Sequence, residues 1–380
     1  MSNQVYITKI SKFLPNEPVL NEEMEKVLGM VSGKPSRSKN IILRQNGIKK
    51  RYYVINKEGT VKYSNAEITA NAVKELEKQG FSLKDLEVLS CGTSIADQLL
   101  PSHASMVHGK IKTKPVEIFS PSGVCCAGMH ALKYAYINVL AGQSKNAVCT
   151  GSEVISTLLK ADKFNKETEC LKRIEENPIL AFEKDFLRWM LSDGAGAMLL
   201  QDKPASHGLS LRIEWLETIS FANEQEACMY AGAEKNGTGD LKGWKELDPE
   251  LWLEKSIFSV KQDVKLLERN VVGLGIKKLA EILKKYKVNH QSEVDYFLPH
   301  LSSMFFKQKV YDELVAHGIE IPAEKWFTNL TEVGNVGAAS IYLILEELFN
   351  SGQLKKGNKI LILVPESGRF SYAYTYLTVV

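Results

Sequence analysis

The chain has 380 residues, 44% hydrophobic and 24% charged, with a net charge of +3. That is enough chain for a large core or two fused units, and too little positive charge to imply nucleic acid as partner. The longest apolar run, Ile-Leu-Ile-Leu-Val at 360–364, is far too short to span a membrane, and the opening "MSNQVYITKISKFLPNEP" lacks the basic-then-apolar layout of a signal peptide. The six cysteines form no C-x-x-C pair, so no metal site is expected and reduced thiols in a cytoplasmic enzyme are the expectation.

In chain order, short β-branched runs alternate with helical stretches. "LEVLSCGTS" (86–94) reads as a strand, a helix follows 125, and "NAVCTGSEV" (146–154) and "GAGAMLLQD" (194–202) read as further strands. This alternation points to a layered α/β fold. Residues 155–190 are charged and helical in character, and are expected to form an inserted cap. From about 209 the pattern restarts with "LSLRIEWLETIS", "VVGLGIKKLAEILKKY" (271–286), "VDYFLPHLSS", "GNVGAASIYLILEEL" and "NKILILVPESG". No Pro-, Gly- or Ser-rich linker separates the halves, so they are expected to pack as one body, 1–205 and 206–380.

The restart aligns as an internal repeat when Cys126 is set on Asn335. Cys126 lies 16 positions before Gly142, and Asn335 lies 17 before Gly352. A helix, a Gly-Gln turn and a strand follow in both halves. The repeat places one polar residue at the same helix start in each half.

A cysteine gains from that place. The unpaired N–H groups of a helix start favour a thiolate, and the small Ala127 and Gly128 let a carbonyl approach them. On position alone both Cys125 and Cys126 also fit small core residues, the usual role of a free cysteine, and Cys125 is expected to end the preceding strand. Of seven histidines, His103 and His108 fall in a helical stretch, His130 lies one turn after the cysteines, and His207, His290 and His317 lie in polar stretches. His300 differs, because it follows Pro299 at the C-terminal end of an apolar strand, where α/β sheets present catalytic groups.

These residues carry a resemblance. "NGIKKRYY" (46–53), "GTSIADQLLPS" (92–102), "VCCAGMHAL" (124–132), "LSDGAGAMLL" (191–200), "LPHLSS" (298–303), "GNVGAAS" (334–340) and "PESGRF" (365–370) together resemble the ordered motifs of the ketoacyl synthase III-like condensing enzymes of the thiolase superfamily. The resemblance implies a duplicated, five-layered αβαβα fold and a homodimer without a cofactor. It selects Cys126, directly before Ala-Gly, as the residue that takes an acyl group from a thioester. It implies that His300 and Asn335 stabilise the enolate oxygen of a second substrate, and that the backbone N–H groups of Cys126 and Gly368 form the oxyanion hole.

Three departures from the family pattern shape the expectation. Ser303 stands three positions after His300, where the family usually has Asn. Ser367-Gly368-Arg369 replaces a glycine run, so Arg369 beside the acyl site is a candidate further charge for a carboxylate or keto oxygen, and equally a side chain pointing at solvent. No tryptophan in "GKPSRSKN" (33–40) answers the one that stacks on coenzyme A, which favours an acyl carrier protein as donor. Lys277, Lys278, Lys284 and Lys285 are candidates to meet such an acidic carrier, and equally a solvated helix face. The long cap and atypical loop resemble the dialkylresorcinol-condensing branch, which joins two acyl thioesters, one of them β-keto, and closes a cyclohexanedione. Glu153, Asp97 and Glu366 are the candidate bases for that closure. The alternative is a chain-initiating synthase condensing acyl-coenzyme A with malonyl-carrier protein. Retention of Cys126, His300 and Asn335 speaks against a catalytically silent partner subunit.

Overall fold

A computed structural model describes residues 3–164 and 186–380. Nine strands form one connected sheet. The elements used below are β1 (Tyr6–Phe13), α1 (Asn65–Lys78), β2 (Val88–Thr93), α2 (His103–Ile111), β3 (Glu117–Phe119), α3 (Cys126–Leu140), β4 (Asn146–Glu153), β5 (Gly194–Gln201), β6 (Leu211–Ser220), α4 (Gly273–Lys285), β7 (Tyr296–Pro299), α5 (Phe305–Ala316), α6 (Ser340–Asn350), β8 (Lys359–Glu366) and β9 (Ser371–Val379). Their order across the sheet is β7-β8-β9-β6-β1-β5-β4-β2-β3. Only two residue pairs, Tyr6 with Arg212 and Ile7 with Leu211, join β1 to β6. That short seam links a five-stranded part to a four-stranded part.

The two parts face each other across α3 and α6. Helix α3 packs on β4 and β2 on one side and on β8 and β9 on the other, and α6 packs on β1 and β5 and also on β7. Being covered on both sides, α6 buries eight of its eleven residues, and β8 reads as an unbroken apolar run rather than an alternation. Outside these layers, α1 lies on β1, β5 and β4, and α2 on β2. On the far side α4 lays Ile276, Leu279, Ile282 and Leu283 inward at helical spacing, and its Gly275 carbonyl accepts a hydrogen bond from Tyr374 of β9. Helix, sheet, helix, sheet, helix is the layering expected.

The middle layer is held tightly at one point. The carbonyl of Ala338 sits so close to α3 and β4 that a Cβ on Gly128 or on Gly151 would lie 2.2 Å from it. The Tyr342 hydroxyl of α6 donates to the Gly128 carbonyl at 2.8 Å, so helix and strand register are fixed together beneath the cysteines.

Two expectations need amendment. Of the cap expected at 155–190, residues 165–185 lie outside the described residues, and its start holds two short 3-10 turns, Ser156–Leu158 and Ala161–Phe164. A second insertion, unanticipated, runs from β6 to α4. It pairs Met229–Tyr230 with Lys261–Gln262 and Ala233–Lys235 with Leu241–Gly243, and a cluster of Trp244, Trp252 and Phe258 pins it. Among the described residues no helix is long and apolar enough to cross a membrane.

Candidate active site

The ends of β4, β7 and β8 converge on the start of α3. Helix α3 opens at Cys126 as expected, but Cys125 does not end a strand. Its backbone is already helical (φ −60°, ψ −31°), and residues 120–125 form the loop between β3 and the helix. Both thiols are buried. Cys125 lines a cavity of about 340 Å³, together with Glu153, Asn335, Glu366 and Gly368. Cys126 lies fully buried behind that wall, its Sγ donating to the Val364 carbonyl at 3.4 Å.

Glu366, the last residue of β8, reaches the helix start. Its Oε2 accepts hydrogen bonds from the backbone N–H groups of Val124 and Cys126, each at 3.0 Å. The N–H expected to face an acyl oxygen is therefore occupied by the protein's own carboxylate. This also reverses the expected activation of the thiol. Burial first, and the charges of Glu366 and Cys125 after it, push the Cys126 thiol well above the ordinary cysteine range. The helix start alone would have pulled it down.

His300 follows β7 directly, its backbone N–H donating to the Leu363 carbonyl at 2.8 Å. The ring is 2% exposed, and neither ring nitrogen has a hydrogen-bond partner. An unpaired buried polar group costs about 1–3 kcal/mol, and either ring nitrogen is free to serve a hydrogen-bond partner other than the protein. Burial holds the imidazole down at about 4, so the ring is neutral at neutral pH. His300 borders a smaller cavity of about 30 Å³ beside Tyr372 and Pro365. Ser302 lines both cavities.

Asn335 does not sit at the first turn of a helix, as the repeat alignment expected. It precedes the 3-10 turn Gly337–Ala339, and α6 begins only at Ser340. Its Oδ1 accepts from the Gly337 N–H at 3.0 Å and from Ser340 Oγ at 3.4 Å, which caps the combined turn and helix. A parallel bridge to Leu191 fixes its backbone. With Oδ1 so engaged, the side chain offers the Nδ2 hydrogens to the cavity it lines.

Glu153 ends β4. Its Oε1 accepts from the backbone N–H of Ser94 at 3.0 Å and of Ala338 at 3.1 Å, and from the Ser94 hydroxyl. Burial outweighs these bonds and pushes the carboxyl up to about 7. Asp97, the second candidate base, accepts from the N–H groups of Asn65 and Ala66 at the start of α1 and is a helix cap. Ser303 is buried and accepts from the Phe305 N–H at 3.3 Å at the entry to α5. Arg369 points away from the cavity. It is exposed and its Nε donates to the Gln225 carbonyl at 2.6 Å, so it braces the second insertion rather than adding charge to the site.

That insertion supplies wall residues that the motifs did not reveal, including Met229 and Gln262. The Gly368 carbonyl accepts from the N–H groups of Cys228 and Met229, which ties the insertion to the β8–β9 turn. Of the α4 lysines, Lys278 meets Glu281, and Lys285 meets Glu217.

Solved proteins share this fold. Residues 284–373 match the family model for the C-terminal part of 3-oxoacyl-[acyl-carrier-protein] synthase III. The chain is similar to the β-ketoacyl-[acyl-carrier-protein] synthase III of Clostridium perfringens, 25% identical over 352 residues covering 92% of each chain. It is similar to that of Aquifex aeolicus at 25% identity over 94% of each. Among solved structures, AbyA1, a tetronic acid condensing enzyme, superposes with a TM-score of 0.77 at 19% identity, covering 98% of this chain and 99% of the other. Xanthomonas campestris OleA, solved with bound lauric acid and lauroyl-CoA, superposes with a TM-score of 0.72 at 19% identity over the full length of both.

Proposed function

We propose that this chain, a condensing enzyme of the ketoacyl-ACP synthase III-like family with the thiolase fold, joins a β-ketoacyl and a second acyl thioester and closes the product to a cyclohexanedione, the precursor of a dialkylresorcinol. The Cys126 sulfur attacks a thioester carbonyl, a carbon–sulfur bond forms, and the carrier thiol leaves with the proton. The α-carbon of the second thioester then attacks the acyl carbonyl, forming the carbon–carbon bond and releasing the Cys126 sulfur. The neutral His300 ring and the Asn335 amide donate to the enolate oxygen, stabilising charge where it develops. With an α,β-unsaturated acyl group taken up by Cys126 and the β-ketoacyl thioester as the second substrate, ring closure is the addition of the β-ketoacyl γ-carbon enolate to the β-carbon of the alkene. The proton removed from the γ-carbon returns at the alkene α-carbon, and the six-membered ring holds two carbonyls.

The observation that favours ring closure is Glu153. A decarboxylative condensation obtains its carbanion by losing CO₂ and has no need of a base. Closure must remove a proton from carbon, and a carboxyl pushed up to about 7 in the wall that carries Asn335 is matched to that work at neutral pH. The halves 1–205 and 206–380 are divided in the turn between β5 and β6. The donor is an acyl carrier protein or coenzyme A thioester, with Lys277 and Lys284 on the outer face of α4 as carrier contacts. A homodimer suits the end strand β3, which pairs only with β2 and leaves Ile118 and Phe119 exposed.

The second reading is a chain-initiating synthase. The curated relatives at 25% identity bear that name, and the Cys126, His300 and Asn335 set suits it equally. Incubating the protein with β-ketoacyl and simple acyl thioesters, and weighing the products by mass spectrometry, separates the two. A cyclic dione supports the first reading. A linear β-ketoacyl product alone overturns it in favour of the second.

A further inference from the structure

We infer that Glu366 is a positioning residue for acylation: its carboxylate stands in the place of the acyl oxygen, holds the Val124 and Cys126 N–H groups in the unacylated enzyme, and is displaced when the thioester carbonyl arrives. This rests on the acyl-Cys126 reading above. The geometry is that of a filled oxyanion site. One oxygen accepts two backbone N–H groups at 3.0 Å, at the start of a helix of fifteen residues, where negative charge is favoured. The surroundings are shaped to the carboxylate. A Cβ on Gly123 would lie 3.3 Å from Oε2, and one on Gly368 would lie 3.2 Å from Oε1, so any larger residue at either place presses on it. Glu366 also lines the cavity, which gives the displaced side chain somewhere to go.

The consequence is a guarded thiol. While the carboxylate holds the N–H groups, its charge opposes a second negative charge on Cys126, and the thiol stays protonated. An incoming carbonyl must take the Cys126 N–H for itself, which moves that charge away as the sulfur is needed. Attack by reagents that cannot bind there is suppressed. The groups that face the two side chains are Cys125 just before α3, His130 on α3, Glu153 at the end of β4, and Tyr372 and Tyr374 on β9. Glu153 titrates near neutrality, and burial lowers His130. Neither therefore changes charge in the alkaline range where the thiol is expected to ionise, and the tyrosines are pushed higher still by burial.

The test is the pH profile of iodoacetamide alkylation of Cys126, mapped by peptide mass spectrometry on a Cys125→Ser background, for the otherwise wild-type chain and for Glu366→Gln. The amide keeps an oxygen to accept the N–H groups but removes the charge. The expected wild-type midpoint lies above the usual cysteine value of about 8.5, and Glu366→Gln lowers it by a full pH unit or more. Each pH unit raises the thiolate population tenfold and lowers its nucleophilicity about threefold, a net gain of about threefold in rate at about pH 7.5. A residue that merely held the loop would leave the midpoint unmoved. Coincident profiles overturn the inference. A wild-type midpoint at or below about 8.5 overturns it as well, without reference to whether the variant folds. Alkylation needs no thioester, so the outcome is separate from the condensation reading. A shifted midpoint with no acyl-enzyme from any thioester leaves the guard standing and removes the reading.

Discussion

Glu153→Gln is expected to make the protein more stable and less able to close a ring, and the two effects have opposite dependence on pH. The Oε1 atom of Glu153 accepts three hydrogen bonds, all of which a glutamine oxygen can accept. What the variant loses is ionisation. The carboxyl rises from 4.5 to about 7 on folding, so below 4.5 it is protonated in both states and contributes nothing. Between 4.5 and 7 it ionises only when unfolded, and stability falls as pH rises through that window. Each pH unit inside the window costs about 1.4 kcal/mol, which gives a loss below about 1 kcal/mol at pH 5 and of about 3 kcal/mol at pH 8. Under the proposed function, the wild-type ring-closing rate is expected to rise through the same window as the base form appears. The variant lacks that limb and closes rings about 10²- to 10⁴-fold more slowly, so linear product accumulates. Urea unfolding followed by tryptophan fluorescence at pH 5 and pH 8 measures the first effect, and product analysis measures the second. If the stability difference is the same at both pH values, or the variant is the weaker at pH 8, Glu153 is not a destabilised buried carboxyl and loses its claim to be the base.

Three further outcomes are expected. Gly128→Ala places a methyl 2.2 Å from the Ala338 carbonyl, where backbone cannot yield easily. It should cost more than about 3 kcal/mol or abolish soluble protein, while Gly109→Ala, with open space around it, should do neither. Tyr342→Phe removes the bond to the Gly128 carbonyl and should cost about 1 kcal/mol in the urea midpoint. His103 and His300 are both held down at about 4 by burial. The unfolded chain therefore binds their protons first, and stability should fall as pH drops from 6.5 towards 4, by up to about 3 kcal/mol for each ring. His103→Gln should shrink that acid limb when urea midpoints at pH 7 and 4.5 are compared.

The local features of the fold were legible because local patterns carry them. Strands β2, β4 and β5 lie where β-branched and small-residue runs stand, α3 opens at Cys126, and His300 follows the last residue of an apolar strand. The site was legible only in part, because its remaining geometry comes from long-range contacts. Glu366 stands 240 residues from the N–H it occupies, and no spacing in the sequence ties the two. The same is true of Arg369, whose partner is the Gln225 carbonyl in an insertion with no periodic signature. That insertion carries short pairings of two or three residues, too brief for alternation to mark. The repeat alignment singled out an asparagine that lines the cavity but misjudged its setting. A 3-10 turn with Gly337 at φ +49° intervenes before α6, and such a turn has no apolar rhythm to reveal it.

The proposed chemistry turns on one sulfur, and its most direct test is the position of the acyl group. The protein is mixed with a single acyl thioester, with no second substrate, quenched in acid and digested. Fragment ions of the peptide holding both cysteines separate Cys125 from Cys126. The expected result is the acyl mass on Cys126, absent from Cys126→Ala. An acyl group on Cys125, or undiminished product formation by Cys126→Ala, would contradict it.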